Sequence, residues 1–230
     1  MRPLWNRTAP HSVQSAVFTT DATAFLSEIA ADNTAAFFAA HRHRHAGALD
    51  APLRDLAAAL AEEFGPLRVL RPHRNRRFRP DLPPYRTDAG LVGADPPRAV
   101  LLSATAFTVS VGPWRFDRGQ RARFRAAVDD ELGALLDGWT VASPRLTGLP
   151  RGVRTDDPHL PLLRLDGLQV QRSWPVGDWL GTGEPLRRVR ETWRAAGPVL
   201  RWLDRHVGPP DPVVPRPRPP AVPTVAEEPG

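Results

Sequence analysis

Apolar residues recur at helical spacing through the first third of the chain, whereas later apolar residues alternate. This spacing predicts three early helices, over residues 21–30, 34–42 and 52–64. The second should be capped by Asp32 or Asn33 and should anchor Phe37 and Phe38 in the core. The third should end at Gly65, because glycine favours helix ends and the next residue is proline.

From Leu67 onward, short apolar stretches are broken by proline and glycine, which indicates strands and turns. Alternation predicts strands over residues 107–111 and 168–174, and the apolar stretch over residues 97–103 predicts another. The strands over residues 97–103 and 107–111 are close in sequence, so we expect an antiparallel hairpin with one apolar face. Asp157 should cap a short helix that begins at Pro158.

Two longer helices are predicted around the last strand. Residues 117–137 place apolar side chains on one face, and Gly138 should end that helix. Residues 184–206 form the second, with a kink expected at Pro198.

This order of elements predicts an α+β fold: a single domain with a mostly antiparallel sheet packed against N-terminal and C-terminal helices. We expect the domain to span residues 18–208, after a flexible segment over residues 1–17. Residues 209–230 are rich in proline and poor in bulky apolar side chains, so they should form a disordered tail.

Composition narrows the possible functions. The 230 residues include no cysteine, which excludes disulfide scaffolds, thiolate metal sites and cysteine nucleophiles. There is no apolar run long enough for a signal peptide or a membrane span, so we expect a soluble, cytoplasmic protein without membrane partners. The phosphate-binding, dinucleotide-binding and serine-hydrolase motifs are also missing from the sequence.

Positive charge is concentrated in one segment. All 31 basic residues are arginine, and seven of them lie in residues 68–86 with a single acid, Asp81. The difference, 7 − 1 = +6, equals the net charge of the whole chain, so this segment should focus potential on an anionic partner.

The best candidate site lies in this segment. Arg74, Arg77 and Arg86 could bind one phosphate or carboxylate group, with Tyr85 as a further donor and Asp81 orienting an arginine or accepting a proton. Three interpretations stay open: a site for a small anionic ligand, a nucleic-acid or protein-interaction surface, and a purely structural motif. The sequence assigns neither a reaction nor a cofactor.

His41, His43 and His45 have the spacing of metal ligands on a helix, but no acidic residue separates them and the intervening Arg42 and Arg44 would repel a cation. We therefore interpret them as a solvated helix end and predict no metal site.

Residues 74–87, RNRRFRPDLPPYRT, resemble the RD-x-RF-x-x-D-K-x-PYKT signature of a bacterial and fungal family known as domain of unknown function 2461. Arg86 replaces the usual lysine, and Asn75 and Leu82 stand where the family has aspartate and lysine. The resemblance extends over roughly residues 18–207. It implies a single α+β domain and brings no established activity.

Three further segments are similar to the family pattern. Asn33 with Phe37 and Phe38 resembles its N-x-x-x-WF segment, and Trp114 to Phe116 before a helix resembles its middle part. Residues 149–152 and 162–168 are similar to a later part.

Overall fold

A computed structural model describes residues 17–77, 80–150 and 152–212 of the chain. The helices are α1 (Thr20–Ala31), α2 (Ala35–Ala40), α3 (Arg42–His45), α4 (Ala51–Phe64), α5 (Arg118–Ala127), α6 (Asp130–Leu135), α7 (Leu160–Leu163), α8 (Glu184–Ala195) and α9 (Gly197–His206). A π-helical turn, Ala46–Asp50, joins α3 to α4, and a 3₁₀ turn, Asp178–Gly181, precedes α8. The strands are β1 (Leu67–Val69), β2 (Asp88–Ala94), β3 (Pro97–Ser103), β4 (Ala106–Val111), β5 (Thr140–Val141) and β6 (Val170–Pro175).

These strands form one antiparallel sheet in the order β1-β2-β3-β4-β6-β5. The predicted hairpin is confirmed: β3 pairs with β4, and Val100 lies opposite Val109. The predicted strand over residues 168–174 corresponds to β6. The α+β class and the single domain are therefore confirmed.

Helices cover one face of this sheet. Leu91, Val100 and Val109 are fully buried on that face. Arg98, which shares their side of the sheet, lies over the rings of Phe64 in α4 and Trp193 in α8. On the opposite face, Val92 of β2 and Ala99 and Leu101 of β3 are only partly buried, as expected for an antiparallel sheet with one solvated face.

Both long helices predicted around the last strand are divided in the structure. Residues 117–137 form α5 and α6, because the Asp129 carboxylate accepts a hydrogen bond from the Leu132 N–H and begins a new helix. Residues 184–206 form α8 and α9, and Pro198 lies in the first turn of α9. The expected kink is thus a complete break at Ala196.

The predicted terminal segments lie mostly outside the described residues. The described start of the tail, residues 209–212, contacts α5: the Asp211 N–H donates to the Asp117 carboxylate at 2.7 Å. Arg123 also pairs with the Asp211 carboxylate at 2.8 Å. Within the described ranges, no helix has the length and apolarity needed to cross a bilayer.

Candidate anion-binding site

The ends of the arginine-rich segment are held together by backbone pairing. His73 and Tyr85 form an isolated antiparallel bridge. The Arg74 N–H donates to the Pro84 carbonyl at 2.9 Å, and the Arg86 N–H donates to the Pro72 carbonyl at 2.8 Å. The segment from Arg74 to Pro84 is therefore closed at its two ends, and we call its described residues, 74–77 and 80–84, the arginine loop.

Asn33 fixes this loop to the helical layer. Its Oδ1 accepts from the Tyr85 N–H at 2.9 Å, and its Nδ2 donates to the Tyr85 carbonyl at 3.2 Å and to the Ile29 carbonyl at 3.0 Å. The prediction that Asp32 or Asn33 caps α2 is wrong, because Thr34 Oγ1 accepts from the Phe37 N–H. Asn33 instead pairs both backbone polar groups of Tyr85, which would otherwise carry a desolvation cost.

The ring of Tyr85 is part of the core. It is 7% exposed and stacks on Phe38, with ring centroids 4.3 Å apart. His73 contacts the same ring at 4.7 Å. Tyr85 therefore anchors the loop through both its backbone and its ring.

Arg74 and Arg76 are oriented by backbone carbonyls. Arg74 Nε donates to the Tyr85 carbonyl at 3.2 Å, and Arg76 Nη2 donates to the Pro80 carbonyl within the loop. Carbonyls carry no net charge, so these bonds position the guanidinium groups without neutralising them. Arg76 is exposed and Arg74 is partly buried.

Arg77 and Asp81, the other predicted site residues on the loop, are both exposed. The Arg77 N–H donates to Asn75 Oδ1 at 3.1 Å. An aspartate side chain accepts such a bond equally well, so this turn does not require the charge that the family signature has at position 75.

Arg86 lies apart from this group because its guanidinium is directed inward. It pairs with Asp88 at 2.8 Å, and both side chains are about one quarter exposed. The pair borders a cavity of about 10 Å³ that Phe25, Phe38 and His45 also line, which is room for about one water molecule. Arg86 is thus largely compensated within the protein, and the cavity is too small for a phosphate.

His45 contacts the rings of Phe25 and Phe38 at centroid distances of 5.8 and 5.5 Å. The interpretation of residues 41–45 as a solvated helix end is therefore wrong for His45. Phe38 and His45 are seven residues apart, a spacing that places two side chains on the same face of a helix, so the sequence did carry a signal of this contact. Among the described residues, no three histidine, aspartate or glutamate side chains gather as metal ligands would.

Burial lowers the pKa of His45 below its usual 6.5, and His73 acts in the same direction, whereas Asp50 opposes both. The folded state then binds fewer protons than the unfolded chain, so stability should fall as the pH drops below about 6.5 toward the folded-state pKa. We expect wild type to lose more stability than His45→Gln between about pH 7.5 and about pH 5.5 in urea unfolding. Equal losses would show that His45 does not contribute to the pH dependence.

A family model described as "Conserved hypothetical protein (DUF2461)" matches residues 21–202. The chain belongs to this family. No curated protein and no solved structure matches the chain significantly. In this DUF2461 protein the matched region contains the arginine loop, Asn33 and the whole sheet.

Proposed function

We propose that this protein binds a small anionic ligand, bearing a phosphate or carboxylate group, on the arginine loop. The observation that carries the proposal is the pairing of Arg74 and Arg76 with backbone carbonyls. Guanidinium groups held in this way keep their full charge and have part of their rotamer entropy already lost, which favours binding of a planar or tetrahedral anion.

Other arginines near the loop differ from Arg74 and Arg76 because carboxylates neutralise them. Arg44 pairs with Asp21 and with Glu28, each at 2.6 Å, and so is neutralised within the protein. Arg86 is paired with Asp88. Arg74 and Arg76 are bonded to carbonyls instead, so these bonds leave the charge of both guanidinium groups in place.

The loop is also firmly supported. Its ends are joined by the bridge between His73 and Tyr85, and Asn33 holds Tyr85 from the opposite side. A supported loop loses less conformational entropy on binding than a free one, so modest contacts give measurable affinity.

Isothermal titration with inorganic phosphate, pyrophosphate and citrate tests the proposal. We expect at least one anion to bind, and Arg76→Gln to weaken its binding roughly tenfold or more, because hydrogen bonds to charged groups contribute about 1.5–3 kcal/mol. Arg201→Gln, at an exposed arginine of α9, removes the same charge elsewhere and should bind like wild type.

Two results would contradict the proposal. The first is that none of the three anions binds the correctly folded protein, as judged by its unfolding transition. The second is equal affinity for wild type and Arg76→Gln. If single-stranded DNA alone binds, with affinity that falls steeply with salt, the loop is a nucleic-acid surface instead.

A further inference from the structure

The sheet has an open edge at β1. The Leu70 N–H donates to the Gly90 carbonyl at 2.8 Å, and Arg68 lies opposite Val92 in the same register. Backbone groups alternate in direction along a strand, so those of Leu67 and Val69 point away from β2. An unpaired strand edge of this kind can accept hydrogen bonds from another extended chain.

A groove of about 510 Å³ lies beside this edge, between β1 and α4. It is lined by Arg54, Ala57, Ala58, Ala61, Pro66, Leu67, Arg68 and Val69. The alanines of α4 leave room for larger side chains, so a strand added beside β1 could pack one of its faces against this helix.

The two charged side chains that line the groove are both arginines. Arg54 is 70% exposed and pairs with Asp50 at 2.7 Å, an exposed helical pair of the kind that contributes little and exchanges partners readily. Arg68 is exposed and lies on the opposite side of the strand from Leu67 and Val69. The charge at the edge therefore selects acidic side chains.

We propose that β1 and the groove beside it bind an extended acidic segment of a partner protein, which adds to the sheet as a seventh strand. Apolar side chains of that segment lie against the alanines of α4, and the alternate, acidic side chains lie beside Arg68. The site is independent of the arginine loop and does not rest on the anion-binding proposal.

A second copy of this chain fits the edge less well. Antiparallel pairing of two β1 strands would place both Arg68 side chains on the same face at neighbouring positions, where like charges repel. The prolines of the chain's own residues 209–220 cannot donate to a strand edge.

Fluorescence anisotropy with a labelled peptide of about seven alternating glutamate and valine residues tests the proposal. We expect saturable binding that Arg68→Glu weakens at least about tenfold, because the variant places like charges together. Arg201→Glu makes the same change on α9 and should leave the affinity unchanged.

Two N-methylated peptides separate strand addition from charge attraction. In the bound peptide, every second backbone N–H points toward β1 and the others point away from it. Methyl groups on the first set remove the hydrogen bonds to β1, whereas methyl groups on the second set face away from β1. One peptide should therefore lose binding and the other should retain it. Equal binding of both peptides, full affinity for Arg68→Glu, or self-association in sedimentation that the peptide displaces would each overturn the proposal.

Discussion

Replacing Gly112 with alanine is expected to destabilise the fold by about 3 kcal/mol or more, from backbone strain and overpacking together. Gly112 has φ +103°, and an added Cβ would lie 2.2 Å from the Leu168 carbonyl oxygen. This obstacle is backbone, and the Leu168 N–H is itself bonded to the Pro113 carbonyl at 2.9 Å. Relief therefore requires the end of β4 and the chain before β6 to separate. Urea unfolding followed by tryptophan fluorescence measures the loss.

Gly133→Ala in α6 is the matched control for this change. An added Cβ at Gly133 meets nothing within 4 Å, and the residue lies inside a helix. Alanine should therefore leave stability unchanged or raise it by up to about 1 kcal/mol. If both alanine variants unfold at the same urea concentration, the close approach at Gly112 does not constrain the fold.

The same kind of close approach explains why β2 was not predicted. Its sequence, DAGLVGA, contains two glycines and no clear alternation, which is unfavourable for a strand. In the structure an added Cβ at Gly90 would lie 2.0 Å from the Val100 carbonyl oxygen. Glycine is thus required by the neighbouring strand, and this requirement cannot be recognised before the pairing partner is known.

The hairpin of β3 and β4 was predictable because β4 shows its buried face by alternation and the apolar stretch of β3 precedes it across a short link. The helix breaks were not, since apolar spacing continues across them. Asp129 looked like one more polar residue on an exposed helix face, yet its side chain caps α6. Whether an aspartate continues a helix or begins a new one depends on how the flanking segments pack.

The sequence predicted which segment holds the candidate site, but not how its side chains are arranged in space. Residue types and charge identified Arg74, Arg77, Asp81, Tyr85 and Arg86 together. The structure places Tyr85 in the core and pairs Arg86 with Asp88, while Arg74 stays on the loop beside Arg76. Tyr85 is placed by contacts with Asn33 and Phe38, which are distant along the chain and which the local sequence does not specify.

Asn33 is the residue that determines this arrangement, and its partner lies 52 positions away along the chain. Asn33→Ala is expected to cost about 2–3 kcal/mol, because it leaves the Tyr85 N–H without its acceptor and removes the donor to two carbonyls. The Tyr85 carbonyl retains the bond from Arg74 Nε, so the unpaired N–H accounts for most of the loss.

Asn33→Asp distinguishes this hydrogen-bonding role from a simple loss of packing. Aspartate keeps an acceptor for the Tyr85 N–H. Its second carboxylate oxygen, however, would lie against the carbonyls of Tyr85 and Ile29, to which the Nδ2 group of asparagine donates in the wild type. It should therefore fail to restore stability, although it is nearly the same size as asparagine.

Thr34→Ala provides the comparison at the adjacent residue. It removes the cap of α2 and should cost about 1 kcal/mol. Thr34→Ala leaves the hydrogen bonds between Asn33 and Tyr85 intact, so it should not change phosphate binding. Asn33→Ala should weaken phosphate binding under conditions where both variants are folded. Equal losses of stability and affinity in the two variants would show that residues 74–87 depend on the whole of α2 rather than on Asn33.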